Sequence, residues 1–569
     1  MERTDRSAWI DALVACALAC ALATAWAWRD WANLSALRLP DADDMMRLQQ
    51  IRDWLGGQSF ADLTQYRLGD HGVAMHWSRL ADLVPAAIIV ALQGAIGRHA
   101  AELVAVIVWP AVLLAIAIAL TGRIARVVGG AEAAAPAMIV AAIAYPASTL
   151  FVPGRIDHHN LQIVLLLVTT LMLVGRGSMM AGLVAGIATS LSLVIGMEMM
   201  PLLGIAGGLA VADWIVGGRE ARDRLMGFGI ALCAATVACS IIFRPLAWAY
   251  PACDGFTAIS ARALMIGSFV PIGLALIGWD SSARTRLALA LASGLALGAT
   301  LAVGAPQCLS PYGGVDPLLQ KVWLSRVGEA QALFAAQPAV AIGYAGLAIA
   351  GLAAGLRQVW IDRSRGWWVL FALQLGALAV TMMQLRGAYP GAILAAPALG
   401  ALIVAARRAG AVPLAGAWIG SAGMLYPIAA QTMVPVVASG NGASCSAPDL
   451  IAALGRLPAG RVMAPIDTGG PAIALTRQHL IAGAYHRDGA GDLAMYAFYR
   501  ATPDRARTIA ADWHPDWVVA CDGFPGVAAP FSVDLNRGAA PAWLREVAHV
   551  SSGGRIFAVI GLPPARARP

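Results

Sequence analysis

The chain has 569 residues, 59% of them hydrophobic and only 13% charged, about half the charged share of a soluble domain. That composition excludes an ordinary soluble globular protein. The net charge of +7 comes from arginines scattered through short loops, as the positive-inside rule produces, and it points to no nucleic-acid partner. The first apolar run, 9–28, is long enough to span a bilayer and ends without a small-residue cleavage site, so it reads as a retained helix. Further apolar windows fall near 102–122, 133–151, 161–175, 179–196, 198–216, 225–243, 263–280, 285–304, 339–356, 366–384, 389–406 and 411–436.

The segment 80–96 is also apolar, and charge decides its place. If it lies in the interface instead of spanning, the loops carrying Arg123 and Arg126, Arg176, Arg219 to Arg224, Arg284 and Arg286, Arg357 to Arg365, and Arg407 and Arg408 share one side, which is then the cytoplasm. The predicted fold is therefore a polytopic α-helical membrane protein of about thirteen spans, with the N-terminus inside and the C-terminus outside. Residues 1–439 form the transmembrane domain, with long external loops at 29–101 and 304–338. From 440 onward charged residues return. Strands are expected at 461–466, 517–520 and 556–560, and helices at 449–454, 490–500 and 503–513, making residues 440–569 a small external α/β domain.

Of eight cysteines, Cys16, Cys20, Cys233 and Cys239 lie in apolar spans and read as small buried hydrophobes. Cys253, Cys308, Cys445 and Cys521 fall in external polar segments, where disulfides persist. The expected pairs are Cys253 with Cys308 and Cys445 with Cys521.

Five polar clusters carry the chemistry, and all fall outside. Asp41, Asp43 and Asp44 precede a helical stretch containing Arg47; they suit a metal, and they equally suit a helix start. In Gly154-Arg155-Ile156-Asp157-His158-His159, Asp157 and His159 can ligate one metal ion, or Asp157 can cap the next helix. Glu329 closes Arg326-Val327-Gly328-Glu329. Arg386 stands at an outer helix end, against the usual charge bias, and suits a phosphate or a nearby acid. Asp467, in Pro465-Ile466-Asp467-Thr468-Gly469, suits a turn cap or an acceptor contact. No row of acids crosses the spans, which counts against the alternative of a transporter or flippase for a lipid-linked substrate.

Together these motifs resemble the catalytic subunits of oligosaccharyltransferases, in the C-type membrane glycosyltransferase superfamily, and especially the archaeal branch. Asp41 and Arg47 have the spacing of the family's first acidic motif, and Met75-His76-Trp77 looks similar to its first loop. Gly154 to His159 resembles the archaeal second motif, Glu329 the glutamate of the fifth external loop, and Arg386 the arginine that binds donor phosphate. The resemblance implies a metal-dependent glycosyltransferase using a polyprenyl-(di)phosphate sugar donor. Asp41, Asp157, His159 and Glu329 would hold Mg²⁺ or Mn²⁺. Asp41, Asp44 and Glu329 would act on the acceptor, Arg386 on the donor phosphate and Asp467 in acceptor binding. Membrane lipids would surround it, with the active site and C-terminal domain on the periplasmic side of a bacterial inner membrane. The tail departs from the family: neither tryptophan of the W-W-D-Y-G motif precedes Asp467. The acceptor is therefore expected to be a glycan, a lipid or a protein hydroxyl in place of an asparagine sequon.

Overall fold

The computed structural model describes residues 2–277, 281–310, 314–433, 444–524 and 527–562. The chain forms two compact units. The first comprises Met1–Trp31, Trp77–Gly313 and Arg326–Val436; the second comprises Ala32–His76, Gly314–Ser325 and Val437–Pro569.

The first unit is a bundle of apolar helices. Among the described residues eight are long and apolar enough to cross a membrane: Trp9–Arg29, Arg98–Gly129, Arg219–Ile242, Ala258–Ile277, Ala283–Gly304, Pro338–Asp362, Arg365–Met383 and Leu385–Ala409. A ninth is obtained if Ala411–Ser421 and Leu425–Thr432, bent by 83°, count as one span. This is a multi-pass membrane protein, but the count falls short of the thirteen that hydropathy predicts. The shortfall lies in Ala131–Ala142, His159–Val174, Met179–Ile195 and Met200–Val216, which are apolar but run to 17 residues at most, about 26 Å at 1.5 Å per residue. Leu83–Ile96 has 14 residues and turns into Arg98–Gly129 at Gly97, whose φ is +80°.

Small residues bring these helices together. A Cβ on Gly182 or Gly186 would collide with the backbone of Arg219–Ile242 at the Arg224 and Phe228 carbonyls, and one on Gly227 would strike Met179 in return. Without a hydrophobic drive between helices in lipid, such close backbone approach supplies the packing energy. At one end of the bundle, arginines satisfy helix C-terminal carbonyls and complement their dipoles. Arg224 and Arg365 both ion-pair with Asp213 and both donate to the carbonyls of Leu173 and Gly175. Arg286 donates to Trp214 and Gly217. Arg224, Arg286 and Arg365, from three of the loops that the charge rule groups together, thus hold the ends of neighbouring helices.

The second unit holds a five-stranded sheet in the order His479–Leu480, Arg461–Met463, Trp517–Ala520, Arg555–Val559, Leu544–His549. The first three strands are parallel and the last two antiparallel to their neighbours. The strand expected over 461–466 stops at Met463, and a 3₁₀ turn, Ile466–Thr468, follows. The expected helices appear as Pro448–Arg456, Gly489–Arg500 and Pro503–Trp513. This unit is larger than the tail of the sequence, because residues 32–76 are knitted into it. Leu68 bridges to Leu480, Arg52 and Arg67 donate to the carbonyls of Ala474 and Thr476 at 2.8 Å, and Arg461 pairs with Asp70 at 3.0 Å.

The structure pairs Cys253 with Cys308 and Cys445 with Cys521, with Cα separations of 5.5 and 5.2 Å. The reading of all four remaining cysteines as buried needs correction. Cys239 is buried, but Cys16 and Cys20 lie on the exposed face of the first helix, of which only 17% is covered by protein.

Candidate active site

In the first unit, the second acidic motif is held by its own loop. The chain leaves a 3₁₀ turn at Phe151, and Gly154, with φ +95°, donates its N–H to the Val106 carbonyl at 2.8 Å. Asn160 then donates to the carbonyls of Leu150 and Arg155. Asp157 does not cap the following helix; the N-cap is His158, without a side-chain cap bond. The carboxylate is turned instead to two imidazoles. Asp157 Oδ1 lies 2.7 Å from His158 Nδ1, and Oδ2 lies 3.4 Å from His159 Nε2.

Glu198 joins this group from the turn between Met179–Ile195 and Met200–Val216. Its Oε1 is 3.4 Å from His158 Nε2, and its Oε2 accepts from Gln162 Nε2 at 3.2 Å. Burial alone would lower the His158 pKa, but the Asp157 and Glu198 carboxylates outweigh it and push it up to about 10. Burial would raise Glu198, but His158, His159 and Arg386 pull its carboxyl far below the usual range. The two carboxyl groups thus favour the charged form of the His158 imidazole against the cost of its burial.

Arg386 and Glu329 come from two 3₁₀ turns, Leu385–Gly387 and Gly328–Ala330. Leu385 N–H to Gln331 O, 2.8 Å, ties the turns together, and Arg386 Nη2 pairs with Glu329 Oε1 at 3.2 Å. The acid that Arg386 ion-pairs with is Glu329. The first unit gathers Asp157, His159, Glu329 and Arg386, together with His158, Gln162 and Glu198.

Asp41, Asp43, Asp44 and Asp467 belong to the second unit. Asp41 is exposed and caps the Ala42–Leu55 helix, accepting from the Asp43 N–H at 3.1 Å. Asp44 and Arg47, one turn apart, are fully buried. The Gly469–Leu475 helix packs on this one: a Cβ at Gly470 would meet Ala42 at 3.0 Å, and Tyr485 Oη donates to the Ala42 carbonyl at 3.1 Å. Asp467 stands in the turn leading into that helix. Its side chain is exposed, yet the surrounding protein desolvates its carboxyl enough to push the pKa up. The first-loop aspartates and Asp467 therefore sit on adjacent elements.

Sequence reasoning missed Gln162 and Glu198 as members of the imidazole cluster. Glu198 had one signal, a lone carboxylate beside an apolar run. Gln162 had none, since one amide in an apolar helix reads as an ordinary core residue.

The donor set suits a divalent cation. Asp157 Oδ2 and His159 Nε2 are 3.4 Å apart, close to the roughly 3 Å between adjacent ligands of an octahedral ion with 2.1 Å bonds. A carboxylate beside a neutral imidazole fits a hard to borderline metal such as Mg²⁺ or Mn²⁺.

The fold and these side chains define a polytopic membrane protein with a buried carboxylate–imidazole centre and a soluble-type α/β unit. Its structure resembles the archaeal oligosaccharyltransferase AglB from Archaeoglobus fulgidus. The form bound to an inhibitory peptide and a dolichol-phosphate matches with a TM-score of 0.59 at 13% identity, covering 84% of this chain and 65% of that one. The form with Zn and sulfate matches at 0.57 and 14%, covering 90% and 67%. The form tethered to an acceptor peptide containing the NVT sequon matches at 0.60 and 14%, covering 97% and 74%. This chain thus spans about two thirds to three quarters of their length. No family model matches the chain, and no curated protein matches it by sequence.

Proposed function

We propose that the protein is a metal-dependent membrane glycosyltransferase. It would move a sugar or glycan from a polyprenyl-(di)phosphate donor to an acceptor at the outer face of a bacterial inner membrane. One observation carries this reading: the cluster of Asp157, His158, His159 and Glu198 lies within electrostatic reach of Arg386 through Glu198, and Arg386 is itself paired with Glu329, in a fold whose neighbour binds a dolichol-phosphate. Transport of a lipid-linked substrate is not favoured. The buried acid Glu102, at the end of a span, is held by Arg98 in the adjacent turn at 2.8 Å and opens no polar path through the bundle.

Asp157 and His159, with Glu329, would hold the ion. When bound, it supplies positive charge that stabilises the leaving phosphate. Arg386 presents a fork of N–H donors that binds phosphate oxygens bidentately once Glu329 releases it. In the transfer, the acceptor oxygen bonds to the anomeric carbon as the carbon–oxygen bond to phosphate breaks. The electron pair leaves on the phosphate and the acceptor's proton passes to a carboxylate. Asp41 and Asp44 are assigned to the acceptor step on the motif resemblance alone.

The outer placement has support from the two disulfides, which persist in oxidising compartments. If the bent pair counts as one span and the four shorter helices between Ala131 and Val216 also cross, the thirteen-span topology would result. For the acceptor we retain a glycan, a lipid or a protein hydroxyl. Pro465 and Ile466 stand where the family carries tryptophans, and neither has a side-chain donor to read a sequon hydroxyl. A peptide acceptor, as in the neighbour, is the competing reading.

The test supplies purified protein with a labelled polyprenyl-diphosphate glycan and Mn²⁺, alongside N-x-[ST] peptides and non-peptide acceptors. Transfer to a non-peptide hydroxyl, lost in EDTA, is expected. Full activity in EDTA would overturn the metal. Efficient transfer to asparagine, lost when the sequon Ser or Thr becomes Ala, would overturn the acceptor assignment.

A further inference from the structure

Gln162 is fully buried in the His159–Val174 helix. A buried amide is costly unless its donors and acceptor are all used. Its Nε2 faces three groups: the Ser192 carbonyl at 3.3 Å, the Gly196 carbonyl at 2.9 Å and Glu198 Oε2 at 3.2 Å. The carbonyls can only accept, and so can an ionised carboxylate, so the NH₂ end of the amide must point this way. The amide oxygen is then left facing His159, with Oε1 3.4 Å from Nδ1.

That orientation has a chemical consequence. An amide oxygen cannot donate, so the hydrogen in this contact belongs to His159 Nδ1. A neutral imidazole protonated at Nδ1 carries its lone pair on Nε2, and Nε2 is the atom that lies beside Asp157 Oδ2. A metal-binding histidine usually donates its second ring N–H to a fixed oxygen, which sets both tautomer and ring angle.

We infer that Gln162 is a positioning residue: it locks His159 in the Nδ1–H tautomer and so aims Nε2 at the ion shared with Asp157, while Glu198 and the end of the Met179–Ile195 helix lock Gln162. The inference rests on the metal site proposed above. A purely structural amide would need only its NH₂ end, to tie the end of one helix to the start of another. Among the described residues the oxygen serves His159 alone.

The test measures Mn²⁺ binding to the purified full chain by EPR after EDTA treatment, and imidazole coordination by ¹⁴N modulation of the Mn²⁺ signal. Wild type should bind Mn²⁺ with imidazole modulation, and His159→Ala should lose it. Gln162→Met keeps the volume but not the acceptor, and should bind Mn²⁺ about 10- to 100-fold more weakly. Gln162→Asn stays polar but is one methylene too short to reach Nδ1; it should show the same loss and covers the case in which the methionine variant does not fold. Gln162→Glu still offers an oxygen to Nδ1 and should keep the modulation. Wild-type affinity and modulation in Gln162→Asn, with His159→Ala defective, would overturn the inference while leaving the metal site standing. Absence of Mn²⁺ binding by the wild type would overturn both.

Discussion

Each unit buries a close set of carboxylates, and the two sets are treated in opposite ways. In the helical bundle, Asp157 and Glu198 lie against His158, His159 and Gln162, so each anion has a nitrogen partner. In the α/β unit, Asp488 and Asp492 are buried one helical turn apart with no cationic partner among the causes acting on them, and Asp488 accepts from the Gly491 N–H. Gly483 donates to Asp492 Oδ1 at 3.2 Å, but among the described residues Oδ2 of either aspartate has no hydrogen-bond partner. Desolvation pushes both carboxyls up, and Asp492 is raised further by the charge of Asp488. A carboxyl group is therefore drawn toward its charged form at Glu198 and toward its neutral form at Asp488 and Asp492. The difference is the chemistry of the neighbours: Asp157 is as buried as Asp488, and Glu198 only slightly less so.

The largest effect should come from breaking the compensated set. His159→Ala removes a candidate ligand and should lower transfer at saturating donor by about 100-fold or more; wild-type turnover in that variant would show the cluster to be structural. Arg386→Ala should cost about 100- to 1,000-fold in kcat/KM, as loss of a group that stabilises developing charge does. Arg386→Lys should recover only part of this, because the bidentate fork is lost. Equal activity of the lysine and arginine forms would remove phosphate geometry from the account.

The uncompensated pair gives a smaller effect with a definite sign. Its folded pKa values lie above the unfolded value, so its favourable contribution is complete below the ordinary carboxylate range and is lost as pH rises through the raised values. Asp488→Asn removes that loss. The variant should melt about 2–4 °C above wild type at pH 8 and show a smaller difference at pH 5, read by thermal unfolding in detergent. A variant less stable at pH 8 would mean that the carboxylate is compensated after all.

The smallest effect lies at Asp449, which accepts from the Ser551 hydroxyl and from the N–H and hydroxyl of Ser552. These donors pull its pKa down to about 2, so its contribution is present above the ordinary value near 4 and is lost as pH falls from there toward 2. Asp449→Asn should change the melting temperature at pH 7 by no more than about 2 °C, and the difference should vanish at pH 2. A shift that persists there would assign the effect to the hydrogen-bond geometry alone.

The long spans were legible because hydropathy reports them directly, and the Asp157–His159 motif because three polar residues interrupt an apolar run. Glu198 and Gln162 were not, since their meaning depends on a partner 36 residues away that no local pattern encodes. The enlargement of the second unit was hidden for a different reason. The strands Thr64–Gln65, Val73–Ala74 and His479–Leu480 have two residues each, too few to show alternation. Leu544–His549 is an edge strand with one buried residue, and its mostly exposed face carries no core signal. The Gly469–Leu475 helix opens with Gly-Gly-Pro, which reads as a turn from propensity alone; packing against Ala42–Leu55 makes it helical.

The bonds that knit residues 32–76 into the second unit join positions 409 and 422 residues apart, at Arg67–Thr476 and Arg52–Ala474. At about 5–20 residues per second, the ribosome needs roughly 20–80 s to make the intervening chain. Throughout that interval the early segment has been made and its later half has not. Newly made Leu68, Val73 and Met75, all buried in the finished fold, must wait in the open while the spans are threaded. Biogenesis of this protein therefore includes a period in which an incomplete half-domain depends on something other than its own sequence to stay unaggregated.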